Sequence, residues 1–283
     1  MIRLGWSRTA LKGAWEQPGG RRGLLLLALI VIVALVGPAF LPDPASQPDL
    51  IRGALLPPGF GHPFGTDQLS RDVLSRVVHG ARISLSVALL AVALSATLGC
   101  LVGMVAGYFG GWTDAVLMRL VDGALAIPRL FILLLLIAVW DHIPLAALIV
   151  VLGATGWFGT SRLVRAEVLR LREQEYVGAA VALGAPRRRI ILRHLFPNAL
   201  APVLVASTLA VGDVILIEAG LSFLGLGIRP PTPSWGAMIL DARSTLFTAP
   251  WTGAFPGLAI VITVVAVNLV GESLRDALDP RRL

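Results

Sequence analysis

The chain alternates between long apolar runs and short polar joints. Apolar stretches cover residues 24–41, 83–108, 114–140, 145–161, 198–217 and 254–270. Each has about the length a helix needs to cross the hydrocarbon core of a bilayer, where a helix satisfies its own backbone hydrogen bonds. The pattern predicts an all-α, polytopic membrane protein with six transmembrane helices. It divides into a segment 1–23, a first span 24–41, an outside loop 42–80, and a core 81–283 holding five further spans.

The joints carry the orientation. Residues 1–23 hold Arg3, Arg8, Lys12, Arg21 and Arg22 against Glu16, so the positive-inside rule places this segment in the cytoplasm. The first span has a short uninterrupted core, as a cleaved signal peptide would, but no small-residue cleavage site follows closely, and an uncleaved anchor is expected. The loop 42–80 is rich in Pro, Gly and Asp with nearly cancelling charges. Its end is expected to form a short amphipathic helix on the membrane surface before the second span. Six crossings return the C-terminus, whose tail 271–283 is charged, to the cytoplasmic side.

Within the spans, Gly99, Gly103, Gly107 and Gly111 stand four apart. They form a small-residue ridge that lets a neighbouring helix approach closely. The third span contains Asp122, Pro128 and Arg129. Pro128 removes a backbone donor and predicts a kink. In a continuous helix Asp122 and Arg129, seven apart, share one face. Charges at such depth are costly unless they face protein or water. Both residues are therefore candidates either for a translocation path or for ion pairs and snorkelling to the interface. Asp213 inside the fifth span and Glu218 at its outer end join them as candidates. Pro230, Pro231 and Pro233 forbid regular helix beyond it, and Leu221, Phe223, Leu224 and Leu226 are expected to dip back as a re-entrant element.

The polar stretch 162–197 is the exception in an oily chain. It holds eight of the 24 basic residues and three acids, Glu167, Glu173 and Glu175. Leu163, Ala166 and Leu169 recur at helical spacing, and 175–183 predicts a second, short helix. Gly184 stands where a helix C-cap belongs, and Pro186 suits the first turn of the next helix. Gly178, Ala179, Ala182 and Ala185 give a face nearly bare of side chains, and arginines surround it. A solvated basic loop and a docking element both fit this pattern.

Composition agrees with the span count and removes several chemistries. Hydrophobic residues make up 56% of the 283 and charged residues 14%, with a mean hydropathy of +0.80. Soluble domains carry roughly a quarter charged residues. The net charge of +7 is arginine at span ends rather than on one soluble face, which argues against nucleic-acid binding. Cys100 is the sole cysteine, and His62, His79, His142 and His194 are scattered, so no disulfide and no metal set can be read. Lys12, the only lysine, lies outside any GxxxxGK[ST] pattern, so a nucleotide driving this chain would be bound elsewhere.

Three stretches resemble the C-type permease subunits of the dipeptide, oligopeptide and nickel ATP-binding-cassette (ABC) importers. Gly178-Ala179-Ala180, Gly184 and Pro197 keep the spacing of the family's EAA loop, although glycine stands for the motif glutamate and the last motif reads His194-Leu195-Phe196-Pro197. The piece HPFGTDQLSRDVLSR is similar to GTD-x-x-GRDV-x-SR, with Ser70 in place of a glycine. LSFLGLG…PPTPSWG, within residues 219–253, matches almost residue for residue. The resemblance implies a type I importer permease in the bacterial inner membrane, with several partners. These are a second permease forming a heterodimer, two cytoplasmic ATPase subunits that bind ATP and Mg, and an extracytoplasmic binding protein. It makes 162–197 a cytoplasmic coupling loop, in which Glu175, one turn before Gly178, is the candidate substitute for the motif carboxylate. It assigns no catalytic residue to this chain. From the residues alone, a stand-alone transporter using Asp122, Asp213 and Glu218 as proton carriers stays open, and a membrane enzyme is a third reading without a supporting cluster.

Overall fold

The computed structural model describes residues 12–140 and 142–278. Nine helices of eight or more described residues make up the fold: α1 Pro18–Val36, α2 Val73–Phe109, α3 Gly111–Leu125, α4 Arg129–Ile137, α5 Leu145–Arg172, α6 Glu175–Ala182, α7 Arg187–Phe223, α8 Trp235–Ala242 and α9 Trp251–Leu278. Five are long and apolar enough to cross a membrane by themselves.

The sixth crossing is a broken one. α3 and α4 meet at 83° across Ala126–Pro128, a sharper break than the kink predicted at Pro128. The packing of α2 on α5 shows that this pair must carry the chain across. A Cβ on Gly99 would come within 2.6 Å of Thr160, and those on Gly103 and Gly107 would strike Val164 and Val168. Both helices therefore advance in the same direction, and the chain has to return between them. Three glycines suffice for this seam. Gly111, expected to extend it, sits at φ +55 with open space around it and begins α3.

The remaining helices alternate. α7 runs antiparallel to α2, with Glu218 near Ser84 and Ser207 near Ser95. α9 runs antiparallel to α7, placing Gly271 on Leu209 and Gly212 on Val264. α1 lies antiparallel on α9, with Gly23 against Ala266 and Gly13 against Ala277. The six crossings thus bring residues 13 and 277 together at one end of the bundle. The segments 1–11 and 279–283, parts of the expected cytoplasmic termini, lie outside the described residues.

Several boundaries differ from the sequence reading, because start and stop signals carry the helices past the ends of their apolar runs. α1 begins at Pro18, a proline suited to a first turn, and includes Arg21 and Arg22. No separate amphipathic helix precedes the second span. Asp72 caps α2 by accepting from the backbone N–H of Ser75 at 2.7 Å, and the helix then runs unbroken for 37 residues. The re-entrant element is also absent. α7 continues through Leu221 to Phe223 and ends at Gly225, φ +79, where the Leu226 N–H bonds the Leu221 carbonyl. After the proline segment, α8 packs back on α7 and α9.

Two apolar cores stack along the bundle. The outer one contains Leu133, Ile137, Leu148, Leu152, Ile215, Leu221 and Trp235. The inner one joins Met104, Val164, Val168 and Leu171 to Val177, Ile190 and Leu195.

Candidate docking and translocation sites

The inner core holds α6 in place through one side chain. Val177 is buried in it, while Glu175, Gly178, Ala179 and Ala182 are exposed and Ala180 is half-buried. A Cβ on Gly178 would meet nothing within 4 Å, so the small-residue face is open rather than filled by this chain. Gly184 closes the helix at φ +75. Its N–H bonds the Val181 carbonyl at 2.9 Å, and the Ala185 N–H bonds the Ala180 carbonyl at 3.0 Å, as the sequence predicts for a glycine C-cap. Leu183, 88% exposed, projects beside this turn.

Pro197 is not on α6 but nearly three turns into α7. It has no N–H to offer the Arg193 carbonyl, and just before it α7 widens into a π-turn over Ile190–Leu195. The side-chain amide of Asn198 donates to the His194 carbonyl at 2.6 Å, and Tyr176 lies across from the His194 ring. Partial burial raises the Tyr176 phenol above its ordinary pKa, with Arg170 acting in the opposite sense.

At the other end of the bundle, the two further motif stretches meet. Asp67 accepts from Arg71 Nε at 2.7 Å and Arg76 Nη1 at 2.5 Å. Both guanidinia also donate to Asp241 on α8, at 3.1 and 2.9 Å. The Asp67, Arg71 and Arg76 side chains are each 5% exposed. Beneath this clamp, Trp235 donates its indole N–H to the Val77 carbonyl at 3.0 Å, and Ser234 caps α8. Ser70 occupies the left-handed region at φ +59, which accounts physically for the glycine of the related motif.

The motif resemblance includes Asp67, Arg71 and Arg76, but nothing in it pairs them with Asp241. A signal was present: Asp241 is the only acid in residues 219–253. Asp114 was missed as well. It takes both Nε and Nη2 of Arg165, at 2.5 and 2.6 Å, tying α3 to α5.

The four candidate path residues do not form one cluster. Asp122 and Arg129 are not on a shared helix face, because the break at Ala126–Pro128 separates them. Asp122 lies 3.9 Å from Arg162, both side chains more than half exposed. Arg129, on the first turn of α4, donates to the Leu152 carbonyl at 2.8 Å and to Thr155 Oγ1 at 3.4 Å. Asp213 is exposed on α7, near enough for its charge to act on Arg129. Glu218 is 1% exposed and enclosed by Ser222 at 2.8 Å, Ser234 at 3.1 Å and Ser84 at 3.4 Å, so in this conformation it faces no open path. Among the described residues, no three His, Cys, Asp or Glu side chains gather as a metal site.

Comparison with known proteins agrees with this layout. Residues 99–283 match the family model described as "binding-protein-dependent transport system inner membrane component". The chain is 42% identical to a putative peptide permease protein of Brucella suis, over 92% of this chain and 86% of that one. It is 39% identical to the dipeptide transport system permease protein of Alkalihalophilus pseudofirmus, over 92% and 84%. It is 41% identical to the oligopeptide transport system permease protein of Bacillus subtilis, again over 92% and 84%. With six crossings, an open helix of small residues at one end and these relatives, the chain belongs to the inner-membrane permease components of binding-protein-dependent ABC importers, which work with separate ATPase subunits.

Proposed function

We propose that this chain is one half of a heterodimeric permease that imports peptides across a bacterial inner membrane. In this reading a second permease completes the pathway. Two cytoplasmic ATPase subunits bind ATP and Mg, and an extracytoplasmic binding protein delivers cargo. The observation that carries it is α6, an exposed helix with an open small-residue face whose sole deep anchor, Val177, joins the core shared by α2, α5 and α7. An ATPase groove that seats Gly178, Ala179 and Ala182 would hold the helix. Any movement of the groove would then pass through Val177 into three spans. Closing of the ATPase pair on ATP would thereby shift the population of the bundle toward an outward-open state.

Orientation follows from charge. The end of the bundle that carries α6 also carries Arg170, Arg172, Arg187, Arg188, Arg189 and Arg193, and is assigned to the cytoplasm together with both termini. Asp122, Arg129 and Asp213 are the polar groups proposed for the path.

Single cysteines in a Cys100→Ala background test the orientation. Ser46→Cys and Thr232→Cys should react with an impermeant maleimide in intact spheroplasts, and Arg188→Cys only after lysis. Labelling of Arg188→Cys in intact spheroplasts overturns both the topology and the docking role. A companion measurement addresses cargo: import of a radiolabelled dipeptide or tripeptide should require the ATPase and the binding protein together.

A further inference from the structure

Among the described residues Arg129 has no ion pair, and it lies at mid-depth in the bundle. It borders a cavity between the middle sections of α2, α5 and α7, with Ser95, Gly156, Thr160, Ser207 and Val214 among its walls. A guanidinium has five N–H donors. Here two bonds are made, one to a carbonyl and one long contact to a hydroxyl, and among the described residues no carboxylate comes within 4 Å. Arg71, Arg76 and Arg165, by contrast, each reach one or two carboxylates. Asp213 acts on Arg129 only through its field.

The surroundings make room for the charged head. A Cβ on Gly156 would stand 3.1 Å from Arg129 Nη2 and 2.8 Å from Ser95 Oγ, so the guanidinium comes close to α5 where that helix has no side chain. The helix break at Ala126–Pro128 brings Arg129 to this position, and broken spans in membrane transporters gather at polar binding sites, since freed backbone groups need polar surroundings. A fork of unpaired donors beside hydroxyl groups matches a carboxylate, which arginine binds through two parallel hydrogen bonds.

We propose that Arg129, with the Ser95, Thr160 and Ser207 hydroxyls around it, is the recognition point for a carboxylate of the transported molecule, which for a peptide is its free C-terminus. This rests on the peptide reading above. The substrate carboxylate supplies the ion pair that the protein withholds, and it is released when the cavity closes or opens to the other side.

The test uses the complete importer in proteoliposomes, with trialanine and trialanine amide each loaded to saturation on the binding protein. The wild type should favour the free acid. Arg129→Gln should lower trialanine uptake about tenfold and leave the amide within about twofold, bringing the ratio toward one, and Arg129→Lys should fall between, because a point charge keeps attraction without the fork. A readout independent of transport is Ala210→Cys, in the wall of the same cavity, in the Cys100→Ala background: trialanine should protect it from an anionic thiosulfonate and the amide should not. This readout also decides the matter where Arg129→Gln fails to assemble. Equal protection by both peptides, or Arg129→Gln importing both at the wild-type ratio, overturns this inference alone. A wild-type importer that moves neither peptide while its ATPase is active overturns the peptide reading and this inference with it.

Discussion

Replacing Asp67 with asparagine removes one charge from a buried square of two acids and two arginines while keeping the side chain's shape. Asp67 accepts from both guanidinia and also from the backbone N–H groups of Leu69 and Arg71, each at 2.9 Å. Asparagine can keep the two backbone bonds through its carbonyl oxygen. It cannot balance Arg71 and Arg76, which would then share Asp241 alone. Their side chains are 5% exposed, so water cannot screen the excess charge. Removing one partner of a buried pair costs about 3–5 kcal/mol. At roughly 2–4 °C per kcal/mol, the importer in detergent should lose on the order of 10 °C in Tm, followed by fluorescence-detected size exclusion after heating. The double variant Asp67→Asn/Arg76→Gln leaves Arg71 paired with Asp241 at 3.1 Å and is neutral again. It should be less destabilised than the sum of its two single variants, by more than about 1 kcal/mol. A Tm for Asp67→Asn within about 2 °C of wild type would show that the square is not the joint between the start of α2 and α8, and that the surrounding packing holds them.

Other substitutions probe different parts of the structure. Ser70→Gly relieves a left-handed serine whose buried hydroxyl has no partner among the described residues, and should raise stability by about 1–2 kcal/mol in the same assay; Ser70→Ala keeps the strained backbone and should gain less. Gly99→Val drives a side chain into Thr160 at the α2–α5 seam and should prevent accumulation in the membrane, whereas Gly159→Ala, at an open helical position on α5, should accumulate normally. Glu175→Gln should weaken ATPase co-purification at low salt by at most about fivefold and have little effect at high salt, the behaviour of an exposed pair; Gly178→Glu in that background should restore part of the loss. Equal binding across the salt range would mean that packing alone makes the joint.

The sequence revealed elements whose cause is local and missed those whose cause is distant. Apolar length set the six crossings, and Gly184 with Pro186 marked the end of α6 and the start of α7, because a left-handed glycine and a donor-less proline act on their own few residues. Helix ends were misplaced where a distant group covers them: α2 starts ten residues early, and Asp241 of α8 reaches Arg71 and Arg76 in and beside its first turns. The break before Arg129 was read as a kink, since a proline announces a missing donor but not the angle at which the next helix packs. Spacing put Asp122 and Arg129 on one face by assuming the continuous helix that this break removes. The exposure of α6 was legible as a bare, arginine-ringed face, but its anchoring through Val177 was not, because the core that receives Val177 draws on three separate helices.

The central claim is that α6 is the cytoplasmic joint to an ATPase subunit. A photoreactive amino acid placed at Leu183, which projects from the α6 turn, tests it directly in native membranes containing the assembled importer. Illumination should give a covalent adduct with the ATPase from Leu183 and none from the same amino acid at Thr232, in the segment before α8. Capture of the ATPase from Thr232, or of an extracytoplasmic protein from Leu183, would contradict the account.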